Sequence, residues 1–152
     1  MIMLNKLRAF FTVEPEQTED HEAAIHLAAA VLLIEVAKSD HSVEKLELEQ
    51  LKGVLRQEWG LSDADLSDLV DVARDKAERE TSLHQQIDLI NRNFDMPRKH
   101  TLMQGLWRVA CADGEIHPYE ELLIRRLADL LYVSHSDFIR TKHLALETSG
   151  DA

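Results

Sequence analysis

The sequence predicts an all-α protein, a single helical-bundle domain of about seven to eight helices built from two related halves. Three observations lead there. Leu, Ala and Glu are abundant, while the 152 residues include only five Gly and three Pro, a composition that favours helix. Apolar residues recur at three- and four-residue spacing in most stretches between turn signals. The order helix, acidic turn, helix, capped helix occurs twice, with an internal shift of 73 residues that drops to 72 after one deletion.

Length and composition bound the rest. A chain of this size suits one core, and 45% apolar residues are enough to fold it. No run of 18 apolar residues exists, so no spanning helix is expected. The N-terminal residues lack a signal peptide's apolar region, and the single cysteine, Cys111, cannot pair within the chain. The expected location is cytoplasmic. The net charge of −11 disfavours nucleic acid, which needs a basic footprint. It suits cations, basic proteins or simple solubility.

Residues 2–12 place Leu4, Leu7 and Phe11 on one side of a short amphipathic helix, with Lys6 and Arg8 elsewhere. It reads as packing against the core in preference to lying on a membrane. Thr18-Glu19-Asp20 opens a long helix to about Ser39. Its uninterrupted apolar run from Leu27 to Ile34 makes it the buried centre. His26 reads as a core or boundary histidine.

A second helix from about Lys45 to Glu58 aligns Leu48, Leu51, Leu55 and Trp59, and Gly60 stops it. Ser62 caps a third, with Asp65 at its third position. Leu66, Leu69, Val70, Ala73 and Ala77 face inward there, and Asp68, Asp71, Asp75 and Glu78 form a solvated face. Residues 83–94 carry the stripe Leu83, Ile87, Ile90 and Phe94. Pro97 opens a helix to Ala112 with Leu102, Met103, Leu106, Val109 and Ala110 inward. The next helix, Pro118 to Leu131, has Tyr119, Leu122, Leu123, Leu127, Leu130 and Leu131 as its apolar positions. Ser134 caps the last, with Asp137 at its third position. Trp59, Trp107 and Cys111 read as packing residues.

The domain plan is therefore an N-terminal helix and linker at 1–18 and a helical domain at 19–146. Within the domain lie repeat one at about 22–78, an extra helix at 81–94 and repeat two at about 96–146. A disordered tail at 147–152 completes the chain.

The chemistry concentrates in the two matched turns. The better copy is Val109-Ala110-Cys111-Ala112-Asp113-Gly114-Glu115-Ile116-His117-Pro118-Tyr119-Glu120. The poorer is Val36-Ala37-Lys38-Ser39-Asp40-His41-Ser42-Val43-Glu44-Lys45-Leu46-Glu47. Asp113-Gly114-x-Ile116-x-x-x-Glu120 copies the second half of an EF-hand loop. The first half is absent, because Val109 and Cys111, or Val36 and Lys38, fall where its opening ligands belong. A standard EF-hand is excluded.

A smaller oxygen site is compatible with the spacing. Asp113, Glu115 and Glu120 with His117 would form one half, and Asp40, Glu44 and Glu47 with His41 the other. Carboxylates select calcium or magnesium, and histidine shifts preference towards zinc or other transition metals, so that zinc and manganese are the alternatives to calcium and magnesium. The competing reading is local. Pro118 at the first helical position makes His117 the cap and Glu120 the third residue, whose carboxylate reaches back to the cap N–H. Glu47 would do the same after Glu44. Spacing alone favours the cap.

These paired Val-Ala-x-x-Asp…Glu segments resemble the TerB-like family, which includes the tellurite-resistance protein TerB and the N-terminal domain of the membrane co-chaperone DjlA. The resemblance covers about residues 20–146. It implies an all-α fold and a bacterial stress-related or scaffold role. It also implies metal binding by Asp40 and Glu47, then by Asp113 and Glu120. His41 stands where the family pattern has glycine, which weakens the first half-site.

Three functions are thus expected in order. The first is a non-enzymatic module binding a divalent cation and a protein partner, membrane-associated partners included. The second is a metal-free module whose acidic face docks a basic partner. The third is a small hydrolase, for which no motif is present. A homodimer is compatible with any of them.

Overall fold

Caps written into the sequence set where helices begin. The computed structural model of the protein describes residues 18–38, 45–80, 82–112 and 114–150. The expected helix at 2–12 lies outside them. Among the described residues seven helices follow one another: α1 (Thr18–Ala37), α2 (Lys45–Trp59), α3 (Asp63–Arg79), α4 (His84–Asn93), α5 (Met96–Ala110), α6 (Pro118–Leu130) and α7 (His135–Gly150). No strand occurs among the described residues. Ser62 Oγ accepts from the Asp65 N–H (3.2 Å), and Ser134 Oγ accepts from the Asp137 N–H (3.2 Å). The Asp95 carboxylate accepts from the Arg98 N–H (3.0 Å) at the head of α5. Each oxygen satisfies one of the four donors that a helix start leaves open. The last helix continues to Gly150, past the boundary at residue 146, and α5 stops two residues before Ala112.

α1 is the axis of the bundle. Every residue from Ala23 to Ile34 is buried, because α1 packs against α2, α3, α4, α5 and α6. An apolar run without a polar face can only be covered on all sides. The two units then repeat their pairings. α1 packs on α2 and α3, and α5 packs on α6 and α7; α1 meets α5 at the centre, α2 lies on α5 and α6 lies on α1. α4 has no counterpart and rests on α1.

The close approach of α2 to α5 depends on Gly105. A Cβ added there would lie 2.7 Å from Val54 Cγ1, and a β-branched side chain has little freedom to retreat. Gly105→Ala gains helix propensity of up to about 1 kcal/mol but overpacks the contact by about 1–3 kcal/mol. A net loss of about 1–2 kcal/mol is expected as a lower urea midpoint at unchanged slope. An unchanged midpoint would mean that Val54 turns away freely.

Not all apolar positions of α6 reach the core. Tyr119, Leu122 and Leu130 are exposed, and Glu120, Ile124, Leu127 and Ala128 face inward, with Leu131 buried just beyond. The cap at His117 and Pro118 fixes where the helix starts, and packing turns the Glu120 side to the core. The apolar residues of α6 then divide between an inner and an outer stripe. The two units also end their second helices alike: Gly60 has φ +59 and Tyr132 has φ +61. These residues are 72 apart, so the one-residue deletion precedes Tyr132 and the left-handed position aligns it with Gly60, not with Trp59. A tyrosine there costs about 1–2 kcal/mol that glycine does not.

Candidate functional site

The second acidic turn is built on the end of α5. The Cys111 N–H donates to Trp107 O (3.0 Å), and the Gly114 N–H donates to Cys111 O (2.9 Å). Gly114 has φ +91, a conformation that L side chains rarely adopt. The chain then extends through exposed Glu115 and half-buried Ile116, which packs on the core. At His117 the helix begins. The His117 N–H donates to Glu120 Oε1 (3.3 Å), the arm of a capping box that returns a carboxylate to the cap. Glu120 is only 1% exposed.

Glu47 occupies the same place in the first unit. It is the third residue of α2 and is 3% exposed. Two carboxylates in equivalent first turns are therefore buried. A carboxylate leaves water only when N–H donors or a cation meet it, and a helix N-terminus supplies part of that. Of the remaining expected ligands, Asp40, Glu44 and Asp113 lie outside the described residues, as does His41. Glu115 is exposed and His117 half-buried. No group of three His, Cys, Asp or Glu side chains arranged to hold a metal ion occurs among the described residues. The donors that are placed, mainly carboxylate oxygens, have the chemistry that a hard cation takes.

Two further residues escape a reading by motif. His26, buried in α1, packs against Trp59 with ring centroids 4.2 Å apart and the planes tilted by 38°. Neither of its ring nitrogens is hydrogen-bonded, and Glu22 Oε2 stands 3.7 Å from Nε2. Burial pushes its pKa down to about 4, against a smaller upward pull from Glu22. Lys99, 73 residues later in α5, sits under Tyr132 with Nζ 5.6 Å from the ring centroid. It is 6% exposed, and desolvation lowers its pKa too. The repeat register was the available signal, since it places Lys99 on His26. Cys111 is buried, with Sγ 3.8 Å from Arg108 O, as a packing residue would be.

No helix among the described residues is long and apolar enough to cross a membrane. Two three-helix units, each with a buried glutamate in the first turn of its second helix, define a duplicated helical module. Residues 26–143 match the family model for tellurite resistance protein TerB, and the chain belongs to the TerB family. The match runs from α1 into α7 and so takes in both units. No curated protein and no solved structure matches the chain.

Proposed function

We propose that the protein is a non-enzymatic TerB-family module of bacterial stress response that binds a divalent cation and acts through a protein partner. The observation that carries this reading is the burial of Glu47 and Glu120 in equivalent first helical turns, each beside an acidic connection. The residues that would hold the ion are Asp40 with Glu47 and Asp113 with Glu120, with Glu44, Glu115 and His117 in support. Oxygen donors favour calcium or magnesium over zinc, and manganese takes the same donors.

Calorimetric titration of the chelator-stripped protein with each of these four ions tests the proposal. Saturable binding that disappears in Asp113→Ala and in Glu120→Gln is the expected result. Absence of binding by the wild type at about millimolar ion, the affinity of the weakest protein calcium sites, would sink it.

The second reading is a metal-free interaction module, and the His117–Glu120 bond favours it. There Glu120→Ala is expected to lower stability by about 1 kcal/mol through loss of the cap, with no response to any ion. Thermal denaturation with and without chelator separates the two.

A further inference from the structure

The C-terminal end of α2 is lightly held. Between Leu55 and Leu66 no residue is buried, and Trp59 and Leu61 alone rest on the core from this stretch. Gly60 ends the helix with φ +59. Arg56 pairs with Asp63 within the stretch (2.7 Å), and Arg108 donates to Gln57 Oε1 (3.1 Å). Both contacts are exposed, and exposed polar contacts hold weakly. The seat of Trp59 is His26. Trp59 Nε1 and both ring nitrogens of His26 are buried without a hydrogen-bond partner. The contact is therefore ring against ring, and it suits a neutral imidazole only.

The charges around that seat all direct a proton-bearing ring outward. On α1, half-exposed Glu22 stands one turn earlier with Oε2 3.7 Å from His26 Nε2. On α5, the Arg98 guanidinium lies 4.3 Å from the Phe94 ring centroid and opposes a second cation at His26. From α2 the facing group is the neutral indole. An imidazolium is thus drawn towards Glu22 and water, away from Trp59. The second unit shows what a cation at this position entails. Lys99 takes the place of His26, and the ring beside it, Tyr132 from the end of α6, stands 74% exposed where Trp59 is half-buried.

We propose that the His26–Trp59 contact is a proton-operated latch: a proton on His26 releases residues 56–62, the last turn of α2 and its connection to α3, while the rest of the bundle stays folded. Release is local because α3, α4, α5 and α6 continue to cover α1, and opening one lightly held segment costs less than unfolding the whole core. Burial holds the closed imidazole at a pKa of about 4, against 6.5 in water. The latch therefore opens as pH falls, with a midpoint between those two values. It depends neither on the cation nor on the partner of the proposed function.

The full chain has two tryptophans, Trp59 and Trp107, so fluorotryptophan labelling gives one fluorine resonance for each. The labelled protein is titrated from pH 7 to about pH 4, the range of the imidazole, with a soluble spin label present as a probe of exposure. The Trp59 resonance is expected to move in a single one-proton step shared with the His26 ring protons, and to relax several-fold faster as the spin label reaches it. The Trp107 resonance and the helical circular dichroism are expected to stay constant through that step. His26→Phe is expected to abolish it. Glu22→Gln is expected to lower its midpoint, and Arg98→Gln to raise it. These two are partly exposed positions, and they keep the proposal testable should His26→Phe fail to fold. A Trp59 step that persists in His26→Phe would overturn the latch, because a carboxylate would then drive it. Movement of both tryptophans together with loss of helix would also overturn it, as global unfolding. So would an imidazole that titrates while Trp59 stays covered, or a Trp59 resonance unmoved down to about pH 4.

Discussion

Trp107→Ala is expected to lower the unfolding free energy by about 4 kcal/mol, the range for removing a fully enclosed large aromatic. Trp107 is 0% exposed and sits at the junction of α5 and α7. Its ring lies 5.1 Å from Phe138 at 55°, and Lys142 Nζ stands 5.4 Å from its centroid. Loss of the indole empties the contact that holds the last helix to the second central one. Trp107→Phe is expected to cost much less. The indole Nε1–H is buried without a hydrogen-bond acceptor, and removing an unsatisfied donor offsets part of the lost volume. Urea denaturation of both variants checks this. If Phe proves as costly as Ala, the N–H is contributing and the account of the ring is mistaken.

The second large effect is in pH. His26 has an ordinary pKa of 6.5 when unfolded and about 4 when folded. Between those values the unfolded chain binds a proton that the folded chain refuses, so stability falls as pH falls. The contribution is full above pH 6.5 and is lost progressively down to about pH 4, a total of about 3 kcal/mol. Carboxylates titrate in the same window. The informative quantity is therefore the difference between wild type and His26→Phe, which keeps a ring on Trp59. That difference is expected to widen steadily as pH is lowered from 7 to 4.5 in denaturant titrations. Parallel curves would mean that His26 takes up its proton in the folded state as easily as in water.

Helix existence and most helix starts were legible in the sequence because caps are local chemistry. Ser62 with Asp65, Ser134 with Asp137, and His117 with Glu120 act over three residues and need no tertiary context. The central place of α1 was legible because an apolar run with no polar side admits one solution. The facing of α6 was not. Its apolar residues cover more than half of the helix circumference, and two stripes competed for the core; packing chose the one containing a carboxylate. Burial of Glu47 and Glu120 was hidden for the same reason, since charged side chains normally stay in water and only the rotation of each helix against its neighbours decides otherwise. Lys99 showed no motif at all and became visible through the repeat register.

The full enclosure of α1 has a consequence for the order in which the chain is made. α1 leaves the ribosome before any of the described helices that cover it, and the sheath closes only when α5 and α6 have followed, some 90 residues later. Until then one of the most apolar segments of the protein has no complete partner. Such a segment is an aggregation hazard during synthesis and a natural client for a holdase. A chain interrupted after Arg79 would keep α2 and α3 on one side of α1 and leave the other bare. Half of this duplicated protein is therefore a poor candidate for independent life, although each half carries a full set of three helices.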